Sequence, residues 1–509
     1  MGHWSPVDCN IYDMFCVLLV LHVVCLCLGI AIVVVILSML RYFLQGTIKR
    51  KGTTTLPPGS SGLPFLAETL ELFYASKANK VLEDFLDPRV AKYGQVFKTN
   101  LLFSPAVSLD APEGNKFLFS NEDKLVQNSW PSSMKKLLGR GSLTTQTGKE
   151  HKLARHALTS FLGPEGLKNF MPRMHKITKA HLAEFWEGKH EIMAGTQLKR
   201  FTLSLAIDLF VSKTEGPEFH SLTHDIRTFL TGMVQLPLDF PGTMYHKARL
   251  ARESILHTFD KIMSCRHNKA LEVEEEGKIS THHDLLSALM NAHNDDRGHP
   301  ITNEEIKDNI LLVLSAGLDS TSSALAVVLK YLFLNPHCLQ EVIKEQREIE
   351  VAKVGALLSW DDTRKMKYTW QVIQETMRIQ PIAQMGNRLA IKEFEYGGFT
   401  IPKGWKLFWH VGRSHMSPTF FPNPKSFNPS RFEGQGPRPY TYVPFGGGPH
   451  MCPGIEFART QMVVFLHYLV LNYEWSMVDP NEKIAMDPFP IFQNGLHLKI
   501  HQKKQPKIH

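Results

Sequence analysis

The sequence predicts a mostly helical protein with a small β-rich lobe, preceded by a single transmembrane helix. Three observations give this class. An apolar run lies near the N-terminus, apolar residues spaced by three and four dominate residues 65 to 370, and short alternating segments follow Pro381. The composition, with 43% hydrophobic and 21% charged residues, is that of a globular protein.

Cysteine content and net charge exclude several classes of protein. The cysteine count of 7 is odd and no Cys-x-x-Cys pair occurs, so neither a disulfide framework nor a zinc ribbon is indicated. A formal charge of +8 is small for 509 residues and is spread along the chain. Nucleic-acid binding would need a basic stripe with interleaved aromatic residues, so we expect no nucleic-acid partner.

The apolar run covers residues 14–40 and contains no Asp, Glu, Lys or Arg. At 1.5 Å per residue it would form roughly 40 Å of helix, more than the ~30 Å hydrocarbon core of a bilayer. Because the apolar part of a cleaved signal peptide has only about 7 to 15 residues, a retained anchor is favoured. Basic residues cluster after the run, so the positive-inside rule places residues 1–13 in the lumen and the later chain in the cytosol.

A basic and proline-rich linker follows at 41–64, and residues 65–509 are predicted to form one cytosolic domain. Prolines lack amide donors and glycines resist regular structure, so the sequence LPPGSSGLP at its end indicates a stiff linker. Within the domain, loops are expected at 128–148, 212–218, 235–243 and 272–302.

One predicted helix is unusually long. It opens with a capping box, Thr302-x-x-Glu305, and continues to about Leu334, before Pro336. Its apolar middle should traverse the domain, yet it contains the polar sequence AGLDST at 316–321. Glycine and buried polar groups are costly in a helix, which favours a local widening beside a ligand over a kink satisfied by its own backbone.

A second helix, predicted from about Thr363 to Ile379, carries Glu375 and Arg378 on one face. Taken alone, Glu-x-x-Arg is common on helix surfaces. The short segments 387–390 and 396–404 then show strand alternation and hairpin turn residues, which predicts a small sheet after the helices.

The segment 444–454, PFGGGPHMCPG, places Cys452 at the start of an apolar helix. Backbone amides and the helix dipole should lower the pKa of this thiol and favour the thiolate that a soft metal needs. A phosphate loop would need a lysine after the glycines, a zinc site would need further ligands, and a cysteine nucleophile would need a paired His and Asp. A single axial thiolate to a haem iron needs only this cysteine.

Taken together, these motifs resemble those of a microsomal cytochrome P450, a haem-thiolate monooxygenase, over nearly the whole chain. The matching positions are Phe445, Gly448, Cys452 and Gly454 of the cysteine signature, Ala316 to Thr321 of the oxygen-activating motif, Glu375 and Arg378, and Phe427, Pro429, Arg431 and Phe432. Their order and spacing also agree with the family.

The resemblance implies a triangular prism of helices with a small β lobe, holding haem b between the long helix and the Cys452 helix. Cys452 would be the axial ligand of the iron. Glu375, Arg378 and Arg431 would form a buried triad that braces the haem pocket. The further residues implied to contact the cofactor are His151, Arg155, Ala316, Gly317, Arg388, Phe445, His450 and Gly454.

Two of these positions depart from the family pattern. His151 stands where a Trp is usual, and we expect it to replace the indole N–H as a donor, whereas His450 stands where an Arg usually meets a haem propionate. Ser320 follows the acid Asp319 where Thr is commoner. Its hydroxyl can still relay a proton, with Thr321 as the neighbouring alternative, but a looser rotamer would allow some uncoupled release of peroxide.

The resemblance also implies partners and a location. The chain has no flavin or dinucleotide fingerprint of its own, so electrons from NADPH would arrive through a separate reductase, with cytochrome b5 as a candidate second donor. The expected location is the endoplasmic reticulum membrane, with one membrane span and a cytosolic catalytic domain. Dioxygen and a small apolar molecule would be the substrates.

The segments 126–131 and 444–454 and the His-x-x-x-Arg variant are similar to the plant branch that oxidises triterpenoids, diterpenoids and steroids. A polycyclic terpenoid or steroid is therefore the expected substrate. The pocket walls implied by family position are Met134, Leu137, Leu312, Ala316, Leu318, Ile382, Ala383, Met385 and Phe492. Two alternatives remain: a haem-thiolate isomerase or dehydratase that needs no reductase, and a non-catalytic haem carrier or sensor.

Overall fold

The computed structural model of the chain describes residues 55–60, 67–101, 104–213, 216–275, 284–291 and 301–503, with scattered positions between 19 and 37. The predicted lumenal segment 1–13 and most of the predicted linker at 41–64 lie outside these residues. The described positions between 19 and 37 are helical and exposed.

Helices account for most of the described chain, as the sequence predicts. The α-helices are α1 (Ala67–Lys77), α2 (Asp87–Tyr93), α3 (Pro112–Ser120), α4 (Ser132–Leu138), α5 (Gly148–Leu162), α6 (Pro164–Phe185), α7 (Ala194–Val211), α8 (Pro217–Gly232), α9 (Met244–Glu275), α10 (Leu285–Met290), α11 (Asn303–Leu334), α12 (Pro336–Ala352), α13 (Trp360–Lys365), α14 (Lys367–Ile379), α15 (Val411–His415) and α16 (Ile455–Asn472). Shorter turns are a π-helix at Val81–Leu86 and 3-10 turns at Pro429–Phe432 and Gly448–His450.

The strands form small sheets. They are β1 (Val96–Leu101), β2 (Ser104–Leu109), β3 (Val126–Asn128), β4 (Glu191–Met193), β5 (Met385–Ala390), β6 (Phe394–Tyr396), β7 (Phe399–Ile401), β8 (Lys406–His410), β9 (Tyr473–Met477), β10 (Ile484–Met486), β11 (Pro490–Phe492) and β12 (His497–Gln502). The largest sheet has the order β1-β2-β8-β5-β3, and a three-stranded sheet has the order β4-β12-β9.

The long helix α11 confirms the capping-box prediction. Thr302 accepts a hydrogen bond from the Glu305 N–H at 3.2 Å, and the Glu305 carboxylate accepts the Thr302 N–H at 2.9 Å. Among the described residues, α11 is the one helix long and apolar enough to cross a membrane, but 78% of its apolar window is buried inside the protein. It is therefore the central helix of the core, as expected.

The predicted widening of α11 is wrong. The helix is α-helical throughout, and its hydroxyl groups are satisfied by its own backbone. The Ser320 Oγ donates to the Ala316 carbonyl at 2.7 Å, and the Ser322 Oγ donates to the Asp319 carbonyl at 3.1 Å. A hydroxyl that bonds one turn back keeps the helical geometry, so these residues need no distortion of the helix.

The sequence interpretation missed the strands β1 to β4, which lie inside the region predicted to be helical. The strand β1 forms a local antiparallel hairpin with β2, whereas the other partners are distant in sequence: β2 pairs in parallel with β8, and β3 pairs antiparallel with β5. Strands whose pairing depends on distant segments carry little local signal, because strand formation depends on the packing context. The later hairpin is confirmed, because β6 and β7 are joined by Gly397 and Gly398 at positive φ.

Several boundaries also differ from the predictions. The helix expected from Thr363 is two helices, α13 and α14, separated at Met366, and α13 has its own capping box formed by Ser359 and Asp362. The loops expected at 128–148 and 272–302 contain the short helices α4 and α10. Such short helices depend on tertiary packing, since helices of this length are unstable alone.

A buried acid, Asp110, ties the end of β2 to the end of β8. Its carboxylate accepts the His410 N–H at 2.9 Å and the Ser108 hydroxyl at 2.7 Å. Burial raises the pKa of Asp110 from 3.8 to about 6, and the two hydrogen bonds only partly oppose the rise. The folded protein therefore holds a proton here at pH values where the unfolded chain has released it.

This raised pKa predicts a pH dependence of stability. The stabilising contribution is fully present below about pH 4 and is lost as pH rises through about 6, because the folded state binds the proton more tightly. An Asp110→Asn variant stays neutral and should lack this loss, which is of the order of 2–3 kcal/mol for a shift of this size. Denaturant unfolding of both proteins at pH 4 and pH 7 measures the difference, and identical changes between the two pH values would contradict it.

Candidate functional site

The loop before α16 holds Cys452 by backbone hydrogen bonds. The Cys452 N–H donates to the Phe445 carbonyl at 2.9 Å, and the Met451 N–H donates to the Gly448 carbonyl at 3.1 Å. Gly454 is the N-cap residue of α16, and Phe445 packs against the main core. The sequence thus folds into a tight loop that presents one sulfur atom at the start of a buried helix.

Glycines in this loop are required by the close approach of α3. Gly448 has a φ of +69°, and a Cβ there would collide with the Phe119 carbonyl. A Cβ at Gly447 would collide with the Phe119 ring. Phe119 in turn makes an edge-on contact with Trp409 in β8, at 5.4 Å between ring centroids. The loop is therefore wedged against the large sheet.

The thiol of Cys452 is half-buried, and burial raises its pKa. The Gly454 N–H and the nearby Arg155 guanidinium oppose that rise. The backbone donor at the helix start acts on the pKa in the predicted direction, but the loss of hydration outweighs it in the protein alone. A bound metal ion would change this balance, since coordination removes the proton from a thiol.

Two histidines predicted to contact the cofactor stack on each other. The His151 and His450 rings lie 3.8 Å apart between centroids, with 32° between their planes. Burial is the largest cause that lowers both pKa values, and the pKa of His450 falls to about 3. Among the described residues, the His151 Nδ1 and the His450 Nε2 have no hydrogen-bond partner. The lowered pKa values favour the neutral form of both rings, and one nitrogen of each ring has no hydrogen-bond partner among these residues.

Two predicted arginines lie at the same end of the site. The Arg155 Nη1 donates to the Met451 carbonyl at 2.6 Å, next to Cys452. Arg388 in β5 is buried and donates through its Nε to the Glu122 carboxylate, and through its Nη1 to the Asn128 Oδ1 at 3.2 Å. The sequence interpretation missed Glu122, because an acid in a loop after a helix carries no distinguishing pattern.

The face of α11 that carries Ala316 borders open space. Ala316 is exposed although the helix around it is buried, and a Cβ added at Gly317 would meet nothing within 4 Å. Asp319 and Ser320 are half-buried and lie on the same side of the helix as Ala316. The small residues, the acid and the first hydroxyl of the predicted oxygen-activating motif therefore lie along one side of this open space, which is called the cavity below.

Two other residues predicted for this site face elsewhere. At about 100° per residue, Thr321 and Leu318 lie roughly 140° and 160° from Ala316 around the helix. Thr321 is 4% exposed and Leu318 is 2% exposed, and the Leu318 carbonyl accepts the Thr202 hydroxyl of α7 at 3.0 Å. Helical geometry turns both away from the cavity, so the structure does not support Thr321 as a proton relay or Leu318 as a pocket wall.

Asp319 has a cationic neighbour on α7. The Lys199 Nζ lies 3.4 Å from the Asp319 Oδ1, and the side chains are 46% and 23% exposed. Lysine ammonium groups are strongly hydrated, and an exposed pair of this kind contributes little to stability. The pair instead connects the acid of the α11 face with the protein surface.

The predicted triad is assembled in the interior. The Arg378 Nε and Nη2 donate to the two oxygens of Glu375 at 2.7 and 2.8 Å, and both side chains are fully buried. The Arg431 Nε donates to the Glu375 Oε1 at 3.3 Å. Glu375 also accepts the Asn428 N–H at 2.9 Å, so its carboxylate is surrounded by donors.

A buried histidine connects this triad to the cysteine loop. The Arg378 Nη1 donates to the His415 carbonyl at 2.8 Å, and the His415 Nε2 accepts the Val443 N–H at 3.0 Å. Burial lowers the pKa of His415 to about 3, and the nearby Arg378 lowers it further, so the ring is neutral and can accept. Val443 lies two residues before Phe445, whose carbonyl holds the Cys452 amide.

The remaining predicted pocket residues divide by exposure. Buried within the main core are Leu137, Leu312, Ile382 and Phe492. Half-buried or exposed are Met134, Ala383 and Met385. Leu312 lies one turn before Ala316 on the same face of α11, so it is the buried member best placed to border the cavity.

These residues fit a haem. A single soft ligand lies in a fixed loop, and beside it lie two imidazole nitrogens without a partner and two guanidinium groups. This donor set suits an iron porphyrin, whose ring carries two carboxylates. On α11, which packs against α16, small residues leave room for a flat group.

The triad generates a stability prediction. Glu375→Ala should destabilise the protein by roughly 3–5 kcal/mol, because it leaves Arg378 buried without its carboxylate. The variant should accumulate with little bound haem. As a matched control, Glu341→Ala removes an exposed partner of Lys344, whose pair is worth about 0–1 kcal/mol. Thermal unfolding and haem content measure both variants, and a Glu375→Ala protein with normal melting and full haem would show that the triad is not a structural brace.

Comparison with known proteins agrees with this site. The family description Cytochrome P450 matches residues 57–502. The beta-amyrin 28-monooxygenase of Vitis vinifera is 41% identical over 88% of this chain and 92% of the relative, and the taxane 13-alpha-hydroxylase of Taxus cuspidata is 39% identical over 89% and 94%. A solved structure, retinoic acid bound cyanobacterial CYP120A1, has a TM-score of 0.78 at 31% identity and covers 89% of this chain and 100% of its own. The chain belongs to the cytochrome P450 family.

Proposed function

We propose that this cytochrome P450 is a membrane-anchored haem-thiolate monooxygenase that oxidises a polycyclic terpenoid with dioxygen and electrons from NADPH, delivered by a reductase. The observation that carries the proposal is the fixed loop presenting Cys452 beside unpartnered donors. Relatives named for the oxidation of beta-amyrin and of taxanes, and a protopanaxadiol 6-hydroxylase of Panax ginseng at 39% identity, support a terpenoid rather than a steroid.

Haem b would be held by Cys452 through its sulfur, and its carboxylates would be met by Arg155, Arg388 and His450, with His151 as a further donor. When bound, haem with a thiolate ligand supplies the activation of dioxygen. The protein keeps the loop rigid, so the sulfur needs no rearrangement to reach the iron. The surfaces on either side of the porphyrin would be supplied by Phe445 and Gly454 of the cysteine loop and by Ala316 and Gly317 of α11.

Asp319 and Ser320 would move protons at the cavity wall. The Asp319 carboxylate has Lys199 on its outer side, so it can exchange protons with solvent along α7. The Ser320 hydroxyl donates a hydrogen bond to the Ala316 carbonyl. Its oxygen lone pairs are then free to accept a hydrogen bond from a donor such as a water molecule in the cavity. A bound apolar substrate would exclude bulk water from the cavity, so this pair would define where protons enter.

The substrate would be bound by apolar contacts and excluded from water. The proposed walls come from four parts of the chain. They are Leu312 and Ala316 on α11, Ile382 and Ala383 before β5 with Met385 in it, Phe492 in β11, and Met134 and Leu137 of α4. Apolar pockets with few polar groups suit a polycyclic hydrocarbon skeleton. Thr321 and Leu318 are left out because they face away from the cavity.

Membrane attachment would rest on the apolar run 14–40, and the domain 65–509 would lie on the cytosolic face of the endoplasmic reticulum. Four apolar side chains of the segment after α8 support a second contact with lipid, since Val234, Leu236, Leu238 and Phe240 are each 50–66% exposed. The reductase, and cytochrome b5 if it contributes, would then meet the domain on the same membrane face. Basic groups on the cysteine side would be the docking surface.

An isomerase or dehydratase that acts without a reductase is the alternative enzyme. Asp319 and Ser320 disfavour it, because such a reaction has no need for proton delivery during dioxygen activation. A non-catalytic haem carrier would not need the pair either. Turnover that depends on NADPH and the reductase separates the monooxygenase from both alternatives.

The axial ligand can be tested by spectroscopy. The reduced carbon monoxide complex of the wild type should absorb at the position of a thiolate-bound haem, and Cys452→Ala should abolish that band because it removes the sulfur from the loop. Cys265→Ala is the matched control, since Cys265 is exposed on α9 and should leave the band unchanged. A Cys452→Ala protein that retains the band would refute the assignment.

Proton delivery can be tested by coupling measurements. Asp319→Asn should slow turnover by roughly 10²-fold while haem binding is retained, and Ser320→Ala should raise the peroxide released per NADPH. Ser320→Thr adds a methyl that restricts the hydroxyl, so coupling should hold or improve. Ser315→Ala is the control, because its hydroxyl makes the same backbone bond in the buried part of α11. Unchanged product and peroxide in Ser320→Ala would show that ordered water carries the proton without this hydroxyl.

The function itself is tested in microsomes that contain the full chain and a plant NADPH-dependent reductase. Feeding beta-amyrin, a taxane precursor and a steroid should give a product with one added oxygen atom from at least one terpenoid and a weaker response to the steroid. The product should carry labelled oxygen from ¹⁸O₂ and should require the reductase. A rearranged product without labelled oxygen would favour the isomerase instead.

A further inference from the structure

Glu122 is a buried acid that the proposed reaction does not use. It lies between α3 and β3 and is 5% exposed, and no motif of the sequence singles it out. Burial raises its pKa, and the charge of Arg388 opposes the rise. A carboxylate in such a position needs a cationic partner, because burying an unpaired charge is costly.

One oxygen of Glu122 has that partner. The Oε2 accepts from the Arg388 Nε, and the Arg388 Nη1 continues to the Asn128 Oδ1 at 3.2 Å and the Asn387 carbonyl at 3.0 Å. The guanidinium also lies 5.0 Å from the centre of the Trp409 ring. These contacts use the Nε and Nη1 of Arg388 and fix the orientation of its guanidinium group, so the Nη2 donors are left for a ligand.

The second oxygen faces His450. The Glu122 Oε1 lies 3.6 Å from the His450 Nε2, and within the described part of the chain neither atom has a hydrogen-bond partner. The His450 Nδ1 lies 3.4 Å from the Asn128 Nδ2. If the amide donates to that nitrogen, the imidazole proton is on Nε2, where Glu122 and a haem carboxylate would share it. A separation of 3.6 Å suits one bridging water or a small rotation of the ring.

Charge compensation follows from this geometry. Arg388 is neutralised inside the protein by Glu122, whose carboxylate accepts the Arg388 Nε–H. Among the described residues, Arg155 is then the one member of the predicted carboxylate-contacting set with a positive charge and no acidic partner. The site therefore presents less positive charge to the haem carboxylates than the presence of two arginines suggests.

We propose that Glu122 is a positioning residue that holds Arg388 and His450 at the carboxylate end of the haem site and, by compensating Arg388, keeps the reduction potential of the haem low. Positive charge near a haem favours the reduced iron, which carries one positive charge less. The Glu122–Arg388 pair withholds that charge. This inference rests on the proposed contacts of Arg388 with the haem, and it concerns an additional residue and an additional property.

Spectroelectrochemical titration of substrate-free holoenzyme tests the proposal without measuring activity. Glu122→Gln should move the midpoint potential to more positive values, because Arg388 keeps its charge while the acid is neutralised. Arg388→Gln should move the potential to more negative values, and the double variant should return toward the wild type. Glu113→Gln, which removes an exposed acid of α3, is the matched control and should leave the potential unchanged.

The same variants separate the possible failures. A wild-type potential in Glu122→Gln at full haem content, with Arg388→Gln shifted, would overturn the role of Glu122 and leave the haem contacts standing. A wild-type potential in both single variants would overturn the proposed contact of Arg388 with the haem, and the inference with it. If Glu122→Gln does not accumulate, Arg388→Gln is compared with the double variant: recovery toward the wild-type potential supports the proposal, and identical potentials refute it.

Discussion

A guanidinium group that cannot reach solvent is the constraint on which the site depends. Arg378 must find acceptors inside the protein, and it finds them in the Glu375 carboxylate and in backbone carbonyls of the segment that follows β8. That segment includes His415, whose ring accepts the Val443 amide. The position of Cys452 is therefore linked, through a series of satisfied buried donors, to a charge that lies far from it in sequence.

The polar atoms at the opposite end of the site follow a different rule. Here the neighbouring groups are neutral imidazoles and one internally compensated arginine, and several ring and carboxylate atoms have no partner among the described residues. Buried polar atoms are usually satisfied, so their clustering beside Cys452 marks a place where a ligand completes the structure. Stability therefore depends on the buried triad, and ligand binding depends on a separate group of buried polar side chains.

Sequence alone predicted those parts of the molecule whose signals are local or lie in fixed motifs. The capping box predicted the start of α11, and the glycine-rich segment predicted the loop that presents Cys452. The strand β3 was missed because its pairing partner β5 lies in the C-terminal half, and Glu122 was missed because its partner Arg388 belongs to β5. Thr321 was wrongly included because a motif gives the order of residues and the helix decides which of them face the cavity.

The close contact between Phe119 and the cysteine loop has a consequence for protein engineering. Because Gly447 and Gly448 have no space for a side chain, the loop and the end of α3 form one interlocking unit assembled from two distant segments. A chimera that exchanges only the C-terminal segment with a relative would pair a foreign loop with the native aromatic ring. Crossover points that keep α3, β8 and the loop from the same parent preserve this fit, so the boundaries of exchangeable modules follow contacts in space and not the order of the chain.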